Sequence, residues 1–216
     1  MSKKFIMSFS GGKDSTLALY RMMNKGYIPI GLLVTVKKGE TGSWTHSIQK
    51  ELLNKVSESL EIPLFLVECE MNEYEHKFTE TLLKAKELGA QSCVFGDIDI
   101  ADHRKWCEDR CKEAEIEAIL PLWQEDREKL VNEFIDNGFS TVIKKVNLTQ
   151  LPSDFLGKVL TREIVGEIKD LKCDPCGENG EYHTFVVDGP IFKEKVDFKV
   201  NKIVIDGDYG NLDISI

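Results

Sequence analysis

Short apolar runs alternate through the first half of the chain with stretches whose apolar residues recur every three or four positions, and this alternation predicts the architecture. FIMSF, Phe5 to Phe9, reads as a strand; Asp14 to Lys25 puts Leu17, Leu19, Tyr20 and Met23 on a helical stripe that Gly26 ends. IPIGLLVTV, Ile28 to Val36, is apolar on both faces and rich in branched residues, the mark of a strand covered on two sides. After a polar loop with Gly39 and Gly42 come a helix from about Ser47 to Leu60, a strand Leu64 to Cys69, a helix Tyr74 to Leu88 and a strand Ser92 to Ile98. A helix from His103 to Ala114 and a strand from Ala118 to Trp123 complete the series.

Such a β-α-β-α order implies parallel strands with right-handed crossovers and helices on both faces. The pattern then changes. A helix from about Glu125 to Asn137 leads to the strand STVIKKVN, Ser140 to Asn147, and to two short helical stretches between Ser153 and Lys169. From Cys173 onward helical periodicity is gone: a glycine-rich loop runs into the strand TFVVD, and two further strands with Asp-Gly turn signals close the chain. The fold class read from this is α/β: a five-stranded parallel, Rossmann-like sheet over residues 1–120 and a smaller α+β unit over residues 121–216.

In parallel sheets ligands bind beyond the C-terminal strand ends. Three polar segments fall there: SGGKDS, the loop from Gly39 to His46, and GDIDIADHR. In SGGKDS, Gly11 and Gly12 allow a close backbone approach, and the N–H groups that follow point at an anion on the positive end of a helix. Lys13 adds a full charge, Ser10 and Ser15 supply hydroxyls, and Asp14 can hold Mg²⁺ or orient a neighbour. The spacing is not that of a mononucleotide P-loop, which needs glycine six residues before the lysine and Ser or Thr directly after it; Met7 and Asp14 stand there. Six specified positions recur by chance on the order of 10⁻⁵ times in a chain of this length, so a mere tight turn is the weaker reading.

Composition narrows the partners. The chain has 216 residues, 42% hydrophobic and 30% charged, with net charge −9, which speaks against an extended nucleic-acid surface. No segment approaches the ~20 apolar residues of a membrane span, and the apolar run behind the N-terminal lysines is too short for a signal peptide, so a cytoplasmic protein is expected. Six cysteines then read as free thiols. Cys107/Cys111 and the CxxC pair Cys173/Cys176 have spacings compatible with zinc, but half-sites of this kind are common by chance. A homodimer is compatible with the sequence, though no motif requires one.

SGGKDS after a first strand resembles the PP-motif of the N-type ATP pyrophosphatases, whose nucleotide-binding sheet is of the HUP type. Within that superfamily the chain is similar to the diphthine-ammonia ligases through SGGKDS, THSIQKELLNKVSESLEIPL, FGDIDIADHR with LPLW, and CGENGEYHTFVVDGPIF. The resemblance implies cleavage of ATP between the α- and β-phosphates with Mg²⁺, adenylation of a protein-borne or small-molecule carboxylate, and amide formation with ammonia. It places His46 near the nucleotide, with Gly96, Asp97 and Arg104 also at the nucleotide site; for Asp102, helix capping is the stronger reading. It assigns the acceptor site to Glu178, Asn179, Gly180, Glu181, His183 and Thr184, with Lys13, Asp14, Glu178, Glu181 and His183 in catalysis. If Glu181 to Phe185 is extended, Glu181, His183 and Phe185 share one face, so a carboxylate and an imidazole converge on the substrate. The rival readings are a tRNA sulfur transferase with an indispensable Cys173 or Cys176, and a nucleotide sensor without chemistry.

Overall fold

The computed structural model describes residues 3–39 and 42–216, and the expected alternation forms two sheets. The first is built from β1 (Lys4–Ser8), β2 (Ile28–Lys37), β3 (Leu64–Cys69), β4 (Ser92–Val94) and β5 (Glu117–Ile119), in the order β3-β2-β1-β4-β5. Every neighbouring pair in it is parallel. Its connections carry α1 (Lys13–Asn24), α2 (Lys50–Leu60), α3 (Tyr74–Glu87) and α4 (Ala101–Glu113).

Period-two alternation divides the strands between two cores. Phe5, Met7, Leu32, Val34 and Val94 pack with Leu17, Leu52 and Leu53 of α1 and α2; Ile6, Leu33 and Cys93 pack on the other face with Phe78, Leu82, Cys107 and Cys111 of α3 and α4. That two-sided burial is why β2 reads as one continuous apolar run. The strand order reverses beside β1, so the loops after β1 and β4 open a crevice between them, the usual ligand position in an open parallel sheet.

The remainder is α5 (Arg127–Asp136), β6 (Ser140–Asn147), α6 (Arg162–Asp170), β7 (Tyr182–Asp188), β8 (Lys199–Asp206) and β9 (Tyr209–Ser215). Its strands form an antiparallel sheet in the order β7-β6-β9-β8. The first core continues without a break into Phe134, Val165, Phe185 and Leu212 of this half. Arg21 of α1 ties the halves together, donating to the carboxylates of Glu125 and Glu133 and to the Pro121 carbonyl.

The strands read as Ser92 to Ile98 and Ala118 to Trp123 are shorter. Phe95, Ile98 and Leu122 stay buried after the ladder has ended, so apolar character there reports packing and not pairing. Asp102 does not cap its helix: the N-cap is Ile100, and Asp102 lies inside the first turn of α4, where a negative charge suits the helix dipole.

Candidate active site

A cleft of about 320 Å³ opens at the crevice beside β1, within the size range of small-molecule sites. Trp44, Tyr74, Phe78 and Ile100 line it together with Ser10, Lys13, Asp14, Ser15, His46, Asp97, Glu178 and His183. One part is thus an aromatic wall, with Trp44 and Tyr74 packed edge to face, and the rest is a concentration of charge.

The SGGKDS turn is shaped as its composition demands. Gly11 takes φ +79°, and its carbonyl accepts the Val186 N–H at 2.9 Å, so β7 lies directly against the turn. Gly12 caps α1; a Cβ there would come within 2.4 Å of His46 Cε1, so this glycine makes room for an imidazole. The Ser10 and Ser15 hydroxyls lie 3.0 Å apart and brace the turn, Ser10 accepting the Gly12 N–H and Ser15 donating to the Gly12 carbonyl. The Lys13 N–H donates to Thr184 Oγ1 at 3.0 Å, and the first-turn amides of Asp14 and Ser15 stay available to an anion.

The Lys13 side chain is only 5% exposed. Its ammonium donates to both carboxylate oxygens of Asp14, at 2.7 and 3.0 Å, and to the Cys176 carbonyl across the cleft. Burial opposes its charge, but Asp14 and the surrounding acidic groups outweigh that and hold it protonated.

Glycine is required where β4 meets α1. A Cβ on Gly96 would stand 2.7 Å from the Ser15 nitrogen and 2.9 Å from the Asp14 carbonyl carbon, both backbone atoms that no rotamer change can move. Gly96→Ala is expected to cost about 1–3 kcal/mol and to displace the first turn of α1. A fall in the urea midpoint together with weaker ATP binding checks this. Next to it, Asp97 accepts from His103 Nδ1 at 3.2 Å, which raises the pKa of that imidazole, and from the Cys107 thiol at 3.8 Å.

The loop before β7 is held by two carboxylates. Asp174 accepts the Cys176 and Glu178 N–H groups, each at 3.0 Å, and the Arg127 guanidinium; Glu181, 3% exposed, accepts the Asp174 and Asn179 N–H groups, also at 3.0 Å. Gly177 and Gly180 supply the left-handed turns that let the amides converge, at φ +74° and +86°. Arg127 also grips Asp99, at 2.6 and 2.7 Å, clasping this loop to the segment after β4.

Several sequence expectations change as a result. Glu181 and His183 do not converge: Glu181 precedes β7 and is spent on loop amides, Phe185 is in the core, and His183 alone of the three lines the cleft. Asn179 turns to Arg127 and Glu181. Arg104 pairs with Glu108 and covers the Trp123 ring at 5.1 Å, away from the cleft lining. Cys107 and Cys111 are buried among apolar residues, and among the described residues no three His, Cys, Asp or Glu side chains form a metal-binding group. SGGKDS, His46, Gly96, Asp97, Glu178, Gly180, His183 and Thr184 do meet around one cleft. Arg127, Asp174 and the aromatic wall were not singled out from the sequence, and Cys176 only as half of a CxxC pair; the Asp-Pro turn signal at Asp174 is the one local hint.

Three further groups of the cleft bear directly on its chemistry. Burial, with Asp14 and then Asp97 as nearby negative charges, pushes the Glu178 carboxyl up to about 7. Burial lowers His46 to about 4, and lowers His183, whose ring centroid is 4.8 Å from that of His46, still further. Both rings are therefore neutral near pH 7. His46 Nδ1 lies 2.8 Å from the Thr184 carbonyl oxygen, which can only accept, so Nδ1 carries the proton and Nε2 presents a lone pair. Phosphate oxygens bring no proton to that lone pair at this pH, so a hydroxyl or amine is the partner that fits it.

No described helix is long and apolar enough to cross a membrane. The diphthamide synthase N-terminal domain matches residues 3–118 and the diphthamide synthase C-terminal domain residues 126–216. Among curated proteins, the chain is 28% identical over 217 residues to the diphthine–ammonia ligase of Schizosaccharomyces pombe, covering 89% of this chain and 36% of that one. It is 26% identical over 221 residues to the enzymes of that name in Rattus norvegicus and Homo sapiens, covering 91% of this chain and 83% of each of theirs. A solved structure titled a predicted subunit of tRNA methyltransferase, from Methanocaldococcus jannaschii, aligns at 16% identity and a TM-score of 0.46, over 90% of this chain and 100% of its own, too loose a likeness to bear on function. With both halves matched almost end to end, the chain belongs to the diphthamide synthase family.

Proposed function

We propose that this protein is an ATP-dependent amidoligase of the diphthine–ammonia ligase type, and that the cleft between SGGKDS and the Cys173–Glu181 loop is its active site. The observation that carries the reading is the double clamp at Lys13. Its N–H is bound by Thr184 and its ammonium by the Cys176 carbonyl, so phosphate-binding and acceptor elements share one cleft.

In the first step a carboxylate oxygen of the substrate attacks the α-phosphorus of ATP. The new O–P bond forms as the bond to the β-phosphate oxygen breaks, and pyrophosphate leaves. Lys13 and the amides of Asp14 and Ser15 offset the charge that builds on the leaving group. In the second step the ammonia lone pair attacks the acyl carbon, AMP leaves with the C–O bonding electrons, and the nitrogen loses a proton. Glu178, with a pKa of about 7, is matched to accept it. His46 Nε2 accepts a hydrogen bond from a ribose hydroxyl or from ammonia.

Mg²⁺ fits the donor chemistry. Asp14 and Asp97 line the cleft with hard carboxylate oxygens of the kind that suits the ion, and with no third side chain gathered there among the described residues, phosphate oxygens and water would have to complete its shell. Asp14 would hold it against the phosphates, where it would supply further charge neutralisation.

The relatives' name points to diphthine, a protein-borne acid, as the carboxylate. The sulfur-transferase reading is disfavoured at both of its cysteines: burial raises the thiol pKa of Cys176, which is 1% exposed, and of Cys173, the reverse of a reactive thiolate. Incubation with Mg·ATP, ammonium and an elongation factor carrying diphthine is expected to yield AMP, pyrophosphate and the amide in equal amounts. Binding of ATP with no AMP formed in the presence of that acid would leave a nucleotide sensor instead.

A further inference from the structure

The outer edge of the second sheet is a free strand with an unusual sequence. All eight residues of β8 are exposed, and Val200, Ile203, Val204 and Ile205 expose 56%, 49%, 38% and 65% of their surface. Soluble proteins ordinarily protect such an edge with charge, proline or a bulge. Here the register shift between Val200 and Lys202 protects only the start of the strand, leaving Lys202 to Asp206 regular, apolar in its middle and open.

That regular segment reads Lys-Ile-Val-Ile-Asp, a palindrome in shape whose ends carry opposite charges. Laid antiparallel against a second copy, Val204 faces Val204, Ile203 faces Ile205, and Lys202 faces Asp206 at both ends. A two-fold axis normal to the sheet requires a residue to face itself, and Val204 meets that condition. Within the chain, neither Lys202 nor Asp206 closes an ion pair among the described residues.

The backbone is in phase with this pairing. β8 and β9 join through the two-residue turn Gly207 and Asp208, with Gly207 at φ +55°. In such a hairpin the closing pair, Asp206 with Tyr209, exchanges hydrogen bonds, and so does Val204 with Asn211 two residues back. The N–H and C=O groups of Ile203 and Ile205 therefore point outward. Those are the residues that face each other across the two-fold, so the register giving charge and shape complementarity also matches donors to acceptors.

We propose that the protein forms a two-fold homodimer by antiparallel pairing of β8 with β8 of a second copy about Val204, joining two four-stranded sheets into one of eight strands. One strand pair is a small interface, so association is expected in the micromolar range. The cleft lies at the far side of each half from this edge in the strand order, and the dimer needs nothing from it.

Sedimentation velocity over a wide concentration range tests the idea. The wild type is expected to pass from monomer to dimer as concentration rises. Lys202→Asp places acids at both ends of the segment and Asp206→Lys places lysines at both, so each alone should stay monomeric, with circular dichroism and melting temperature unchanged. Mixed in equal amounts, the two variants should recover a dimer containing one of each. A wild type that stays monomeric throughout, single variants that dimerise like the wild type, or a mixture that fails to associate would each overturn the proposal.

Discussion

Lys13→Ala is expected to lower AMP-forming turnover by about 10²–10³ while raising KM for ATP much less. The ammonium is asked to offset charge that grows on the pyrophosphate as the bond to the α-phosphate breaks, and removing one such preorganised donor has an effect of that size. A ground-state contact alone would change KM and kcat/KM together and leave kcat nearly intact. The substitution also has a structural cost. Lys13 bridges Asp14 and the Cys176 carbonyl from a nearly buried position, and removing it leaves a quarter-exposed carboxylate and a carbonyl without their donor, at a cost of about 1–3 kcal/mol. Lys13→Met also loses the charge, but it keeps an apolar side chain of similar length in the buried position and so spares the loss of packing that Lys13→Ala adds. Both variants should lose turnover, with Lys13→Met the more stable to urea. Turnover at the wild-type rate in folded Lys13→Met protein would remove the lysine from the chemistry.

How much of this was legible in the sequence depends on the range of the interaction. The parallel sheet could be read because strands buried on two faces give continuous apolar runs, and β1 to β3 follow those runs closely. SGGKDS could be read because turn, cap and charge lie within six residues. Where apolar residues outlast the ladder, as at Phe95 to Ile98 and at Leu122, the same signal overextended the strands. The motif in the loop before β7 could be read from the sequence, but its geometry could not. Period two predicts that Glu181, His183 and Phe185 point together, yet Glu181 stands just before the strand, where the left-handed turns at Gly177 and Gly180 bring backbone amides onto its carboxylate. Arg127 illustrates the remaining gap: its partners Asp99 and Asp174 lie 28 and 47 residues away, and no local pattern announces such a clasp.

That clasp bears on the acid that faces the cleft. With Asp174 and Glu181 committed to loop amides, Glu178 is the carboxylate of this loop that lines the cleft, and its environment resists ionisation. Glu178→Gln should therefore have opposite effects on activity and stability. In the folded wild type the group titrates near 7, against an ordinary value of 4.5, so between those two pH values the folded chain holds a proton that the unfolded chain has released. Stability of the ligand-free wild type then falls as pH rises through this window, and the full loss above it is about 3 kcal/mol. The glutamine variant carries no such penalty: its melting temperature should exceed that of the wild type at pH 8, and the gap should close by pH 4.5. Amide formation should move the other way, falling by about 10²–10⁴ as the proton acceptor is lost. The rise of wild-type kcat/KM through pH 7 should vanish with it. A glutamine variant that kept both the rate and the rise would assign the proton transfer to another group, and one that was no more stable at pH 8 would show that Glu178 ionises without strain beside Asp14 and Asp97.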